Sequence, residues 1–212
     1  MTAITHHIPD SLLAAYAAGR LPHGFALVAA AHVSMCDTCR AQLGAHEALG
    51  GAVLDGTGAA ELSSGLKLRV LDMLDAPAPP EPARQQRSGI FPAPVMEALN
   101  GLPPKWKTLG MGVRQSILHR DSESSVRLLY IPPGMAVPDH GHNGLEMTMV
   151  LQGAFRDETG RFGVGDVECA DNDLEHTPVA EDGDPCICLA AADAALRFNA
   201  LVPRLLQPLF RI

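Results

Sequence analysis

A run of prolines sets the strongest limit on how this chain can fold. Four of them, at positions 77, 79, 80 and 82, fall within the segment 76–89. Proline fixes φ and lacks an amide proton, so this segment favours extended polyproline II over a helix or a central strand. We therefore predict two domains, at 1–75 and 91–212, joined by a Pro-rich linker at 76–90; an ordered surface loop is the alternative.

The residues before the prolines have the pattern of short helices. Capping and stop residues predict helices at about 12–18, 25–33, 37–49 and 62–75. Gly50–Gly51 is expected to end or break the third of them. The first part of the chain is therefore predicted to be a small helical domain.

After the prolines the pattern changes to short strands bounded by glycine and proline. The runs that suit strands are 124–131, 145–152 and 186–190, and Phe162–Gly165 suits a turn. Many short strands with such boundaries predict a sandwich or a barrel. The expected fold class is therefore α plus all-β, a helical domain followed by a β domain.

Charge and composition exclude several classes of function. The formal net charge is −8, from 16 basic and 24 acidic residues, and aromatic residues make up 4%. Duplex DNA binding needs clustered basic residues and base stacking needs aromatic platforms, so direct nucleic-acid binding is not expected. The five cysteines do not suit a secreted disulfide framework, and no signal peptide or membrane span is apparent. We expect a cytoplasmic protein whose reduced thiols are available to a metal.

The first candidate metal-binding pattern is His32-x3-Cys36-x2-Cys39. Zinc takes four nitrogen or sulfur ligands in a tetrahedron, and these three positions share one face of a helix. Asp37 can cap a helix that begins inside the Cys-x2-Cys turn, and the helix amides would then lower the pKa of the thiols. A redox pair is the alternative, although that motif is typical of a βαβ surround and this one is helical.

The fourth ligand of this pattern must come from elsewhere in the chain. The candidates are His6 or His7, followed by His23 and His46. A small helical domain with an early histidine followed by H-x3-C-x2-C resembles the zinc-binding anti-sigma domain. The resemblance implies that the early histidine is the fourth zinc ligand, favours His7 over His6, and implies a domain that wraps a sigma factor.

An apolar stripe in the fourth helical segment is the candidate partner-binding surface. Leu62, Leu66, Val70 and Met73 recur at intervals of three and four residues, which places them on one face. The resemblance to the anti-sigma domain implies that this face presses on the sigma factor. An ordinary core-facing stripe is the alternative.

The second candidate metal-binding pattern is His140-x-His142-x3-Glu146 in the β part. In extended chain the two histidines point to one side, and the turn at Asn143–Gly144 can fold Glu146 onto the next strand's matching face. Two imidazoles and a carboxylate that converge inside a barrel are a metal site. His176 is the expected fourth ligand.

The spacing of this second pattern, G-x5-H-x-H-x3-E-x6-G, resembles the first cupin motif completely. The second cupin motif is only partly present. Gly165 and His176 keep its spacing, but Asp171 and Asp173 stand at its Pro and Gly positions and Ala180 replaces its Asn. The resemblance implies a cupin-type β-barrel (jelly-roll) with an altered loop before His176.

A zinc anti-sigma domain, a Pro-rich linker and a cupin domain in this order resemble the ChrR family. The resemblance implies a cytoplasmic, non-enzymatic anti-sigma factor that sequesters an extracytoplasmic-function sigma factor of the sigma-E type. It also implies Zn²⁺ at both sites, and release of the sigma factor in response to singlet oxygen or related oxidants.

The three cysteines outside the first pattern lie in the predicted β domain. Cys186 and Cys188 project from one face of a strand, where they serve either as oxidisable thiols or as core packing. A disulfide between them would be strained at that spacing. Cys169, like Met35, is expected to fill the core.

Two other functions fit parts of the sequence. A metal-dependent cupin dioxygenase or isomerase with a helical accessory domain would use the second pattern, since three histidines and a glutamate also suit iron, manganese or nickel. Such an enzyme does not need the first pattern or the linker. A DNA-binding repressor is the third reading, and the acidic balance opposes it.

Overall fold

The computed structural model describes residues 3–74, 77, 84–141 and 143–194, together with the backbone of 197–198. The predicted ligand His142 and much of the predicted linker lie outside the described residues. Within these ranges the helices are α1 (Asp10–Ala17), α2 (His23–Val33), α3 (Asp37–Asp55), α4 (Leu66–Leu74) and α5 (Ala93–Ala98). None of the helices in this part of the chain is long and apolar enough to cross a membrane.

Strands begin after α5. They are β1 (Lys107–Gly110), β2 (Val113–Arg120), β3 (Ser125–Ile131), β4 (His140–Gly141), β5 (Glu146–Gln152), β6 (Ala154–Arg156), β7 (Arg161–Gly163), β8 (Val167–Ala170), β9 (Glu175–His176), β10 (Val179–Ala180), β11 (Cys186–Ala192) and β12 (Arg197–Phe198). The three strands predicted from sequence match β3, β5 and β11, because their β-branched and apolar residues are bounded by turn residues.

The strands pair antiparallel throughout the described chain and form a large sheet and two small ones. The six-stranded sheet has the order β1-β2-β3-β11-β5-β8, and the three-stranded sheets have the orders β10-β6-β7 and β12-β4-β9. The late strand β11 lies between β3 and β5, so the connections cross over as in a β-sandwich rather than a simple meander. Helices followed by a sandwich confirm the predicted fold class.

Two helix boundaries differ from the predictions by four residues or more, and the others by at most two. The predicted third helix continues through Gly50–Gly51 to Asp55, because glycine inside a helix costs only about 1 kcal/mol relative to alanine. The fourth begins at Leu66 instead of residue 62, so Leu62 precedes the helix. The remaining members of the predicted stripe are helical.

The outer face of the six-stranded sheet packs against α2. Phe25 and Val28 of this helix belong to the same buried cluster as Leu128, Met149 and Leu189 of β3, β5 and β11. A helix that is apolar on nearly all sides must be covered on nearly all sides, and the sheet provides much of that cover. The helical and β parts therefore share one apolar core, while the predicted domain boundary stays a prediction.

The inner face of the sheet has a different character. Phe155, Phe162 and Val150 form a second buried apolar cluster together with Cys186 and Cys188. Buried polar side chains share the interior with this cluster; they are Gln115, Arg127, His140, Glu168 and His176. Buried polar groups need partners, so a functional site is expected in this interior.

The contact between α2 and the loop before β3 is testable. The buried amide of Gly24 donates to Ser124 Oγ at 3.0 Å. Ser124→Ala removes the acceptor and leaves a buried N–H unsatisfied, which should lower the free energy of unfolding by about 1–3 kcal/mol. Denaturant unfolding measures the change. The exposed neighbour Ser122 gives the control Ser122→Ala, and equal effects of the two variants would contradict this interpretation.

Candidate metal centres

Four side chains converge between the N-terminal segment, α2 and α3. His7 Nδ1 lies 3.3 Å from Cys36 Sγ and 3.6 Å from Cys39 Sγ, and His32 Nε2 lies 3.2 Å from Cys39 Sγ. One donor atom from each of the four lies within 4.8 Å of the others. We name this group the N-terminal centre. Its histidine at position 7 is the exposed member, and the other three are buried.

Local backbone geometry explains why three of the four residues meet. The amide of Cys36 donates to the carbonyl of His32 at 2.8 Å, which closes the turn between α2 and α3. Cys36, and not Asp37 as expected, is the N-cap of α3, and its sulfur accepts the amide of Cys39 at 3.5 Å. The H-x3-C-x2-C spacing therefore spans one helix end, one tight turn and one helix start.

The second ring nitrogen of His32 binds the β domain. Its Nδ1 donates to the carbonyl of Gly165 at 2.8 Å, because a carbonyl can only accept. Because the proton is on Nδ1, Nε2 carries a free lone pair, and this lone pair points at the thiols. Burial lowers the pKa of His32, against the bond to Gly165, so the ring is neutral and suited to bind a cation.

The expected lowering of the thiol pKa is wrong for Cys39. Burial, together with the neighbouring Cys36, raises the pKa of Cys39 to about 11, although a hydrogen bond with the backbone of Ile8 opposes this. Desolvation disfavours the thiolate more than the helix amides favour it. A thiolate at this position therefore needs a cation beside it, since a bound metal deprotonates its thiols.

The other histidine candidates for the fourth position lie elsewhere. The ring of His6 makes a tilted contact with Phe162 and lies 3.6 Å from Asp166, and the ring of His23 makes a tilted contact with His119. The remaining candidate, His46, pairs with Asp10, 2.9 Å away. The three nitrogen–sulfur distances of 3.2, 3.3 and 3.6 Å in the N-terminal centre fit a tetrahedral zinc ion, whose nitrogen and sulfur ligands lie about 3.6 Å from each other.

The second candidate centre lies inside the β domain, at a cross-strand pair of histidines, and we name it the barrel centre. His140 of β4 pairs directly with His176 of β9. Their Nε2 atoms lie 3.3 Å apart, and His140 Nδ1 donates to the carbonyl of Pro138 at 2.9 Å. Two nitrogen ligands of one tetrahedral ion, each about 2.0–2.1 Å from it, also lie about 3.3 Å apart. The two imidazoles therefore fit one metal ion.

Two buried carboxyl groups face the other side of the His176 ring. His176 Nδ1 lies 2.6 Å from Asp157 Oδ2 and 3.3 Å from Glu168 Oε1. Although burial opposes its charged form, hydrogen bonds and attraction from Glu168 and Asp157 raise the pKa of His176 to about 9. Burial raises the pKa of Glu168 to about 7, and the hydrogen bonds that Asp157 makes outweigh its burial and lower its pKa.

Sequence reasoning missed Asp157 and Glu168. Together with His176 they form the second group of donors within 4.8 Å that the described residues contain. Carboxylates that accept the distal N–H of a metal-ligating histidine fix its orientation and tautomer. Of the two, only Glu168 could have been recognised from sequence, as an acidic residue at an inward position of strand β8. Asp157 lay in a loop with no pattern that points to His176.

Glu146 begins β5 on the inner side of the sheet, as the turn before it predicted. Its Oε1 accepts the hydroxyl of Thr148 at 3.0 Å, and the buried guanidinium of Arg127 interacts with its charge. Within the described chain its carboxylate is not part of a group that converges within 4.8 Å. The ligand set His140, His142, Glu146 and His176 therefore stays a prediction.

The loop before His176 uses the residues that depart from the cupin pattern. Asp171 Oδ1 accepts the amide of Asp173 at 3.0 Å, and its carbonyl accepts the amide of Leu174. This side-chain-closed turn replaces the Pro and Gly of the motif and still delivers His176 opposite His140. Ala180, the third departure, is buried in β10.

Known proteins resemble the chain over both of its parts. The family described as the ChrR Cupin-like domain matches residues 103–195. Anti-sigma-E factor ChrR of Cereibacter sphaeroides is 55% identical over 212 residues, which cover 99% of each protein. The chain belongs to the ChrR family. A chain in the crystal structure of Rhodobacter sphaeroides SigE in complex with the anti-sigma ChrR matches it with a TM-score of 0.80, at 52% identity over 90% of this chain and 100% of that one.

The ChrR-family barrel also holds a close pair of thiols. Cys186 Sγ and Cys188 Sγ lie 3.5 Å apart and both residues are buried. The hydrogen bond with Cys186, followed by burial, raises the pKa of Cys188 well above its usual range. Burial likewise raises the pKa of Cys169 to about 12. Protonated thiols react slowly with oxidants, so the geometry favours packing, and the redox role of the pair stays a prediction.

If the N-terminal centre of this ChrR-family chain binds a metal ion, removing one of its ligands should lower the metal content. Cys36→Ser removes one of two sulfur donors and should lower the bound metal by one equivalent per chain. Elemental analysis of the purified protein measures it. Cys169→Ser is the matched control, since this thiol lies outside both donor groups of the described residues. Equal metal content in the two variants would show that the four residues hold no ion.

Proposed function

We propose that this protein sequesters an extracytoplasmic-function sigma factor of the SigE type and acts as a regulator rather than as an enzyme. The observation that carries the proposal is the match, over 90% of the chain, to the anti-sigma protein that was crystallised with SigE. The protein would act in the cytoplasm, where its free thiols stay reduced and where sigma factors meet RNA polymerase.

An apolar surface on α3 and α4 supports this partner. None of the nine residues of α4, all of which the structure describes, is buried. Val70 and Met73 of the predicted stripe are exposed, Leu66 is half-buried, and Leu68 and Leu71 on the other sides of the helix are exposed as well. A short isolated helix is marginal in water, and one that exposes apolar side chains on more than one side needs cover on those sides.

The same exposure continues along neighbouring elements. Large apolar side chains are also exposed towards the end of α3 and in the segment that leads to α4; they are Leu49, Val53, Leu54 and Leu62. Apolar side chains exposed in such number are typical of a protein interaction site. A sigma factor that inserts between these elements would bury the surface, which explains why a monomer keeps it.

Zinc at both centres is part of the proposal. The two thiols and two imidazoles of the N-terminal centre suit Zn²⁺, and the thiols balance its charge when they are ionised. A structural zinc ion contributes folding free energy, so the N-terminal centre would hold α2, α3 and the N-terminal segment in the inhibitory arrangement. In the barrel, His140 and His176 would bind the ion while Asp157 and Glu168 orient the ring of His176.

Release of the sigma factor by singlet oxygen or a related oxidant completes the proposal. A pocket of about 610 Å³ opens beside the N-terminal centre and is lined by His7 and Cys36 among others. The barrel centre is buried, and Glu168, which contacts its His176, lies three residues after Gly165, which binds His32. Oxidation at the barrel centre would therefore act on the N-terminal centre, and so on sigma binding, through this short stretch of chain.

Sigma binding is testable with SigE of Rhodobacter sphaeroides as the probe. Val70→Asp places a charge on the apolar surface and should weaken SigE binding at least tenfold in a titration, since the aspartate must be desolvated on binding. Lys67→Asp, at a polar position of the same helix, is the matched control. Equal binding by the two variants would mean that α4 does not contact the sigma factor.

The pull-down of the wild-type chain decides the function itself. Co-purification of SigE with the wild-type chain, and its loss in Cys36→Ala, is the expected result. A chain that retains no sigma factor, but consumes oxygen with a small substrate and one bound iron, would replace the regulator with a cupin enzyme.

The barrel centre has a separate expected phenotype. His140→Ala should leave SigE bound, because the variant keeps all four donors of the N-terminal centre. It should blunt the release of SigE after exposure to a photosensitiser and light, because it removes the sensing centre. Asp173→Ala, on the exposed loop before β9, is the control. Cys186→Ser and Cys188→Ser in the same assay test the redox role of the thiols; an unchanged release would remove that role.

A further inference from the structure

One short segment of the β domain contacts both candidate metal centres. We name residues 163–168, the turn after β7 and the start of β8, the bridge segment. Its Gly165 carbonyl accepts the ring N–H of His32 at 2.8 Å, and its Glu168 carboxyl lies 3.3 Å from His176. These two contact points are three residues apart, about 10 Å of extended chain.

The same segment also forms hydrogen bonds with the two residues that precede His7. Asp166 Oδ1 accepts the amides of Thr5 at 2.7 Å and His6 at 2.9 Å, and its Oδ2 accepts the amide of Gly163 at 2.8 Å. The amide of Val167 donates to the carbonyl of His6 at 3.2 Å. A buried carboxylate that accepts three backbone amides is a strong fixed point, since charge-assisted hydrogen bonds are about twice as strong as neutral ones.

The N-terminal segment packs closely against the bridge segment at Gly165. Gly165 has φ +94°, and a Cβ at this position would lie 2.6 Å from the side chain of Ile4. A side chain here would therefore push Ile4 and the following residues away. Glycine at 165 permits the approach, Asp166 holds it, and His7 then reaches the N-terminal centre.

We propose that Asp166 is a positioning residue for the N-terminal centre and that the bridge segment makes metal retention there depend on the barrel centre. The element with two states is residues 4–7, which are docked on the bridge segment or released from it. Docking presents His7 to the thiols. The barrel centre biases this equilibrium because Glu168, which contacts His176, lies in the same short stretch of backbone as Asp166. The inference rests on metal binding at both centres and not on the identity of the sigma factor.

Cobalt substitution of the full-length chain tests the positioning role. Co²⁺ bound to thiolates has a charge-transfer absorption, so its decay in excess EDTA reports the N-terminal centre, which contains Cys36 and Cys39. Asp166→Asn keeps the shape of the side chain but turns an NH₂ group toward backbone amides. We expect the Co²⁺ release rate to rise about 10–100-fold, the range typical of lost supporting contacts around metal ligands.

The control is another aspartate that closes a turn. Asp121 Oδ1 also accepts two backbone amides, those of Glu123 and Ser124, at 2.8 Å each, but it lies in the turn between β2 and β3, away from both candidate centres. Asp121→Asn should leave the release rate unchanged. Equal rates in Asp166→Asn and Asp121→Asn would overturn the positioning role. Faster amide hydrogen exchange at Thr5 and His6 in Asp166→Asn alone would support it.

A double-mutant cycle tests the dependence on the barrel centre. His140→Ala should speed Co²⁺ release from the N-terminal centre in the wild-type background and have no further effect in the Asp166→Asn background, because the docked state is already lost. Additive effects would overturn the coupling. SigE binding is measured on the same variants, so a chain that shows the cycle but binds no SigE would refute the proposed function and leave this inference standing.

Discussion

The ring of His32 is held from two sides, and the arrangement of the N-terminal centre depends on it. Nδ1 donates to the carbonyl of Gly165 and Nε2 faces the sulfur of Cys39. The carbonyl determines which nitrogen carries the proton, so the β domain decides that the lone pair points at the thiols. A single buried imidazole therefore joins the helical part to the barrel. The apolar core shared by α2 and the six-stranded sheet keeps this contact dry.

Burial controls the chemistry of both centres. At the N-terminal centre burial raises the pKa of Cys39 and lowers that of His32, so these two donors are neutral until a cation binds. In the barrel, the carboxyl groups of Asp157 and Glu168 outweigh burial and raise the pKa of His176. A bound metal would replace the proton on Nε2 of His176 and keep the charge that the two carboxyl groups attract. Both centres are therefore suited to a bound cation. The N-terminal centre offers neutral donors, whereas the barrel centre already favours a positive charge on His176.

The helices divide into a part that the barrel covers and a part that it leaves open. α2 is buried against the sheet, whereas α4 exposes apolar side chains on more than one side. The stripe read from sequence was narrower than the exposed surface, because Leu68 and Leu71 fall outside its spacing. Periodicity describes one face of a helix and cannot reveal that the other faces also lack cover. An anti-sigma role accounts for this surface, since a sigma factor would supply the missing neighbours.

The sequence by itself determined the order of helices and strands, the H-x3-C-x2-C turn and the position of Glu146 after its turn, because each depends on backbone geometry within a few residues. It also carried the family resemblance that the comparisons confirm. The tertiary structure alone decided that Gly165 binds His32 across 133 residues, that Asp157 and Glu168 support His176, and that Asp166 holds the segment before His7. These contacts join segments distant in the chain. Their geometry follows from the way α2 packs on the sheet and β4 pairs with β9, which local patterns do not encode.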